Sequence, residues 1–360
     1  MNLDFNTVKS IRLNLIKWFN EYGRPLPWRK DNSWYKTFLS EFLLQQTQVE
    51  QALPYYDRFY GRFPDITALA EATEHEILTM WAGLGYYARA KNLLKAARSI
   101  HENHNDNFPM HYDEALSLPG IGPYTASSIL SLAFNQPRAV VDGNVTRVIS
   151  RLFEITGDIR QSSTEKLIHS ISRQLLDPQF PGKFNEAMME LGALVCRPVS
   201  PACGSCPLQS VCLANQNSST GHIPYKSKRT GKKNHFQYVF LIVNNGSLLI
   251  MKRKPTGLLA SMWELPILPV NSFDLNSSGM LEILMKKYGI RGSRVEIHEQ
   301  LQHVYTHILL KYVPVTIKTE SPEPLLNDYV EWRWEKRVNL KNYPIHNAHK
   351  KIFGYLKIKS

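Results

Sequence analysis

The chain has 360 residues, 43 % of them hydrophobic, with 43 Lys and Arg against 31 Asp and Glu for a formal charge of +12. That length is comfortable for two domains, and no apolar run is long enough to cross a bilayer, so a membrane-spanning helical protein is excluded and no membrane partner is expected. The basic excess points to a polyanionic partner, because each Lys or Arg set against a phosphate releases a condensed counterion.

The first elements read as helical. Val8, Ile11, Leu15, Ile16 and Phe19 recur at helix spacing. They alternate with Asn, Asp, Lys and Arg, so no signal peptide is read there and a cytoplasmic location is expected. Glu41 follows in Phe38-Leu39-Ser40-Glu41-Phe42-Leu43-Leu44. A carboxyl among Phe and Leu is costly unless it faces a cleft, where desolvation would let it act as an acid near neutral pH. Thr73-Glu74-His75-Glu76 is a capping box opening a helix to Trp81, and Ala88–His101 is rich in helix formers. Leu118-Pro119-Gly120-Ile121-Gly122-Pro123-Tyr124 then reads as a tight corner between helices. Its glycines permit close backbone approach, and the amides opening the next helix face outward for an anion. Further helices are expected at about Pro123–Ala133, Thr146–Phe153, Glu165–Leu176 and Phe184–Val195. Asp142 stands twenty residues after Gly122, before one of them. It is an ordinary N-cap residue, or the second of two unlike carboxyls of the kind that cleave a glycosidic bond.

All four cysteines, Cys196, Cys203, Cys206 and Cys212, lie in one C-x6-C-x2-C-x5-C loop. Four thiolates so spaced suit a tetrahedral metal or a cubane cluster. A zinc ribbon normally has two C-x2-C knuckles and this loop has one, which tilts the reading to [4Fe–4S]. Zinc and a pair of disulfides are the alternatives, the last disfavoured in a reducing compartment. Residues 214–234 are polar and carry Lys226, Lys228, Arg229, Lys232 and Lys233; they read as a basic linker. Beyond them, Phe236–Val243 and Ser247–Lys252 flank Asn244-Asn245-Gly246, a hairpin signal. A helix at Leu281–Lys287, strands at Val295–Leu301 and Val304–Val313, and a last helix near His346–Leu356 complete a small α+β domain.

The corner at Gly120 and Gly122, the following Asp142 and the cysteine loop together resemble the helix–hairpin–helix DNA glycosylases that carry an iron–sulfur loop. Glu41 with Leu44-Gln45-Gln46-Thr47-Gln48-Val49, Gly83-Leu84-Gly85-Tyr86-Tyr87-Ala88-Arg89, and Phe184-Asn185-Glu186-Ala187-Met188-Met189 narrow the likeness to MutY-type adenine DNA glycosylases. The resemblance implies a mostly α N-terminal domain at 1–213 with the [4Fe–4S] loop at 196–212, a linker at 214–234, and an α+β Nudix-like domain at 235–360. It implies monomeric, monofunctional removal of adenine opposite 8-oxoguanine or guanine in double-stranded DNA. Glu41 would protonate adenine N7 and Asp142 would stabilise the sugar cation, with Tyr124 and Asn144 ordering the two carboxylates. Trp28, Arg29 and Glu186 would surround the flipped adenine. Gln46, Thr47, Leu84 and Tyr86 would act beside the opposite base, and Gly120 and Gly122 at the backbone. The cluster would be structural and help a basic loop grip DNA.

An endonuclease III-like lyase is the alternative within the superfamily. Its lysine nucleophile would stand where this chain has Tyr124, and no Lys lies between Gly120 and Asp142. A non-catalytic iron–sulfur DNA-binding protein is the alternative of another class, disfavoured by the presence of both carboxylates. In the second domain, Gly257–Pro266 resembles the opening of a Nudix domain. Ile283, Lys286 and Lys287 occupy the places of its Mg²⁺-binding glutamates, so the domain reads as a recognition module without hydrolase chemistry. Tyr305-Thr306-His307 stands where the family often shows Phe-Ser-His, and would contact 8-oxoguanine.

Overall fold

The structure is a computed structural model that describes residues 3–31, 33–228, 231–305, 307–320 and 323–355. In chain order the helices of the first 216 residues are α1 (Phe5–Tyr22), α2 (Trp34–Leu44), α3 (Val49–Arg62), α4 (Ile66–Ala70), α5 (Glu74–Trp81), α6 (Ala88–Asn103), α7 (Tyr112–Ser117), α8 (Pro123–Leu132), α9 (Gly143–Leu152), α10 (Ser162–Leu175), α11 (Pro181–Leu194) and α12 (Leu213–Gln216). The chain folds as two units: Met1–Glu71 with Asn92–Arg229, and Ala72–Lys91 with Thr230–Ser360.

In the first unit, local chemistry sets each helix. Asp4 caps α1 by accepting from the Thr7 amide, and the helix buries Val8, Ile11, Leu15 and Trp18, one per turn. It stops at Gly23, where a Cβ would stand 2.6 Å from the Phe19 carbonyl oxygen. That stripe packs with Val145, Val148, Ile149 and Leu152 of α9, Ile168, Ile171 and Leu175 of α10, and Phe184, Met188 and Leu191 of α11 as one core. The helix α2 is buried on nearly every side, from Tyr35 through Leu43. Its near-continuous apolar sequence follows from that, and it places Glu41 inside the protein rather than on a wet face.

The second unit is built on a sheet of β1 (Lys233–Asn244), β2 (Ser247–Arg253), β3 (Trp263–Glu264), β4 (Ile267–Val270), β5 (Gly292–Ile297), β6 (Leu301–Val304), β7 (Ile308–Thr319) and β8 (Tyr329–Glu335). The order is β3-β2-β1-β7-β5, with β4 on β1, β6 on β7 and β8 on β2; β1 and β7 run parallel. Side chains alternate across β1. Tyr238, Phe240 and Ile242 join a core with α13 (Ser277–Tyr288), while Val239 and Leu241 join another with Leu340, Ile345, Ala348 and Ile352. The predicted hairpin forms, with Asn245 at φ 47° and Gly246 at φ 77°, both left-handed as a type I′ turn requires.

Three expectations need correction. The linker does not run from 214 to 234: α12 buries Ala214, Ile223 is buried, and Arg151 Nε donates to the Ile223 carbonyl at 2.8 Å. Backbone and arginine contacts therefore hold 213–228 on the first unit, and β1 starts at Lys233. Residues 72–91, expected in the first domain, share contacts with the second unit. His75 Nε2 meets the Asn342 carbonyl at 3.0 Å and Lys91 Nζ donates to Ser261 Oγ at 3.0 Å. The strands expected at Val295–Leu301 and Val304–Val313 are divided differently: β5 ends at Ile297, β6 spans Leu301–Val304, and β7 opens at Ile308 and continues through Pro314 to Thr319; proline lacks a donor, but its carbonyl still accepts from His298 N at 3.0 Å. The last helix is one α turn, α14 (Asn347–Lys350), tightening to a 3₁₀ turn at Lys351–Tyr355.

Candidate active site

Within the first unit, one cavity of about 1100 Å³ is lined by Glu41, Tyr124, Asp142, Asn144, Trp28, Arg29 and Glu186 together, with Gln46, Thr47, Gly120 and Gly122 also on its wall. The described residues lining it include no lysine.

Glu41 is 5 % exposed, and its carboxylate receives Ser128 Oγ at 2.9 Å. Burial pushes its pKa up to about 7; the Ser128 bond acts against that shift, and the Asp142 and Glu186 charges add to it. Ser128 lies one turn after Tyr124 on α8 and is itself fully buried. The Tyr124 hydroxyl points to Met189 Sδ at 3.7 Å, and burial beside both carboxylates raises its pKa well above the usual phenol range.

Asp142 serves two ends. Its Oδ1 accepts the Val145 amide at 2.7 Å and caps α9, and its Oδ2 accepts Asn144 Nδ2 at 2.9 Å. Burial raises its pKa, and those donors with Arg147 oppose the rise. Asn144 is held in turn: Arg147 donates to Asn144 Oδ1 at 2.8 Å and to the carbonyls of Gly192 and Cys196, both at 2.7 Å. Gly192 makes this fit possible, since a Cβ there would meet Asn144 Cβ at 2.6 Å.

Across the cavity, Arg29 Nε donates to Glu186 Oε1 and its NH2 to Glu190 Oε2, both at 3.1 Å. Arg24 also holds Glu190. Glu190 is 1 % exposed and these arginines keep its pKa low, whereas burial raises that of Glu186. Trp28 is buried edge-on to Tyr56. Gln46 is exposed at φ 56°, a left-handed conformation that an L side chain holds at a cost of about 1 kcal/mol. Gly120, at φ 77°, meets Asn92 where a Cβ would stand at 2.6 Å, and Gly122 caps α8 with open space at its Cβ position. Sequence reading missed Ser128, Arg147 and Glu190; the only signal was their place one turn from Tyr124, Asn144 and Glu186.

The four cysteines are unbonded to one another and line one small cavity of about 30 Å³. Arg151 NH1 donates to Cys196 Sγ at 3.4 Å. Burial first, then the neighbouring thiols, push the Cys206 pKa up to about 11.

Leu84, Tyr86, Tyr305 and His307 belong to the second unit, and Thr306 lies outside the described residues. Leu84 is 5 % exposed, so it is core in this conformation, whereas Tyr86 is 45 % exposed at φ 50°. Tyr305 and the exposed His307 sit in the turn between β6 and β7, closed by Tyr305 N to the Ile308 carbonyl at 2.8 Å and Lys233 N to the His307 carbonyl at 3.1 Å. The helix α13 carries Lys286 and Lys287 in its last turn, where Lys287 pairs with Asp328, so this face offers cations rather than Mg²⁺ ligands.

Residues 39–174 match the HhH-GPD superfamily of base excision DNA repair proteins, and residues 238–355 match the NUDIX domain. An adenine DNA glycosylase of Rattus norvegicus is 31 % identical over 97 % of this chain and 78 % of its own length. One from Buchnera aphidicola subsp. Baizongia pistaciae is 33 % identical over 84 % of both chains. The solved structure of a thermostable thymine-DNA glycosylase is 26 % identical, with a TM-score of 0.53 over 59 % of this chain and 98 % of that one. The chain therefore belongs to the adenine DNA glycosylase family, a helix–hairpin–helix base excision repair enzyme followed by a NUDIX domain.

Proposed function

We propose that this chain hydrolyses the N-glycosidic bond of adenine opposite 8-oxoguanine, and opposite guanine, in double-stranded DNA, as a monomer that does not cut the strand. The observation that carries this reading is Glu41, a buried carboxyl poised at about pH 7 in the cavity that also holds Asp142. A glycosidic leaving group needs a proton before it departs, and a carboxyl of that pKa supplies one at neutral pH. Glu41 would protonate N7 of the flipped adenine, which leaves with the electron pair of the C–N bond. Asp142, with more donors than Glu41, is the better anion and would face the positive charge left on the sugar. Water then adds to the sugar carbon and its proton returns to the Glu41 carboxylate left by the first transfer. Arg29, Glu186 and Trp28 line the same cavity, which supports their place beside the base.

The cavity wall without lysine supports the monofunctional reading, since Schiff-base lyase chemistry needs an amine. The Tyr305–His307 turn, on a NUDIX fold that has lost its metal carboxylates, supports recognition of 8-oxoguanine there. The four converging, unbonded thiols fit a [4Fe–4S] cluster. When bound, the cluster would staple the loop. Metal analysis should find four iron per chain, and one zinc would replace this part of the reading.

The deciding experiment is a single-turnover assay on adenine opposite 8-oxoguanine, with adenine opposite guanine and thymine glycol as controls, read with and without alkali. Alkali-dependent breaks at adenine alone are expected. Incision at thymine glycol without alkali would move the chain to the endonuclease III-like side.

A further inference from the structure

We propose that Glu264 is a positioning residue for discrimination of the base opposite the excised adenine: with Arg253, Tyr329 and His346 it forms a buried seat for Tyr305. The inference rests on the reading of Tyr305–His307 as the 8-oxoguanine contact.

Glu264 lies on β3, paired with Met251 of β2, and is 1 % exposed. A carboxylate so buried is retained only if both oxygens are used. Its Oε1 accepts Arg253 NH1 at 2.7 Å and the Tyr329 hydroxyl at 2.9 Å, and its Oε2 faces His346 Nε2 at 3.3 Å. An ionised carboxylate accepts only, so this contact puts the imidazole proton on Nε2. In the neutral imidazole Nδ1 of His346 is then the acceptor, 3.5 Å from the Tyr305 hydroxyl. The chain of donors is directional: Tyr305 O–H to His346, His346 N–H to Glu264. The Tyr305 ring also packs edge-on to His303 at 4.6 Å. One end of the turn thus has its foot in the interior, and the other is tied through the His307 carbonyl to the Lys233 amide, with His307 exposed.

Glu264, His346 and His349 also have the spacing of a cation site. Arg253 already neutralises the carboxylate, however, and the Leu265 amide at 3.1 Å occupies His349 Nδ1. The cluster reads as a hydrogen-bonded support.

The test is a double-mutant cycle on the full chain, Glu264→Gln and Tyr305→Phe, read as the ratio of single-turnover rates for adenine opposite 8-oxoguanine and opposite guanine, with His307→Ala alongside. Each single change is expected to lower the ratio by about tenfold, and the double change no further, because both break one chain. Additive losses would assign Glu264 a general structural role and overturn the proposal. So would an unchanged ratio in Glu264→Gln while His307→Ala lowers it. If His307→Ala leaves the ratio unchanged, the recognition reading fails and takes this inference with it. If Glu264→Gln does not fold, Tyr305→Phe decides alone, and an unchanged ratio there overturns the proposal.

Discussion

The two units each bury a glutamate almost completely, and the two behave in opposite ways. Glu41 receives one hydroxyl, and burial drives its pKa up to about 7; Glu264 receives an arginine, a tyrosine and a histidine, and these hold its pKa below the usual value despite equal burial. Burial alone does not make an acid. The number and charge of the donors decide whether a buried carboxyl is a proton source or a fixed anion. The cavity of the first unit holds the former and the interior of the second the latter, while Glu190 of the first unit, held by Arg24 and Arg29, sides with Glu264.

The largest effect should come from removing the proton source. Glu41→Gln is expected to cut single-turnover excision of adenine by at least about 10³-fold while DNA binding persists, measured by product formation and by a gel-shift titration. Retained excision would reduce Glu41 to a core residue. Asp142→Asn comes next. Asn caps helices as well as Asp does, so the melting temperature should stay within a few degrees of the parent while excision falls by about 10²- to 10³-fold. Loss of both together would make Asp142 a cap and nothing more.

The comparison is sharpest in stability. Glu41 has a folded pKa above its unfolded value of 4.5, so its contribution is intact below pH 4.5 and is lost as pH rises through about 7. Above pH 7 the penalty approaches about 3 kcal/mol. Glu41→Gln should therefore raise the melting temperature at pH 8 and change little at pH 4. Glu264 has a depressed pKa, so it stabilises above the unfolded pKa and stops doing so as pH falls through its folded value. Glu264→Gln should lower the melting temperature at neutral pH, by an amount of similar order. Calorimetry at the two pH values tests both signs, and equal signs would dissolve the distinction between the two glutamates.

Much of this contrast was written locally. Glu41 could be read because it interrupts an apolar helix, Asp142 because it precedes one, and the cysteines because they share a loop of seventeen residues. What could not be read is which group faces which. Ser128 is 87 residues from Glu41, and His346 is 82 from Glu264. Periodicity shows which face of a helix is buried but carries no information about the polar partner across the cavity. The packing of 213–228 was hidden for a related reason. It depends on backbone carbonyls meeting Arg151, and any residue type supplies a carbonyl.

The smallest effect concerns Ser128. Its hydroxyl donates to the Glu41 carboxylate and so favours the ionised form, against the pull of burial. Ser128→Ala removes that donor, and the Glu41 pKa should move up from about 7 by about one unit, the size of one hydrogen bond to a charged group. Excision requires the protonated acid, so the rate falls as pH rises past that pKa. The alkaline limb of the single-turnover profile should therefore shift to higher pH in Ser128→Ala, leaving the variant relatively more active at pH 8 than at pH 6 when each rate is divided by that of the parent. A limb that stays in place would mean that another group sets it. A limb that moves to lower pH would mean that Ser128 holds Glu41 protonated instead, with the carboxyl donating to the hydroxyl, and the contrast with Glu264 would then rest on burial and not on donors.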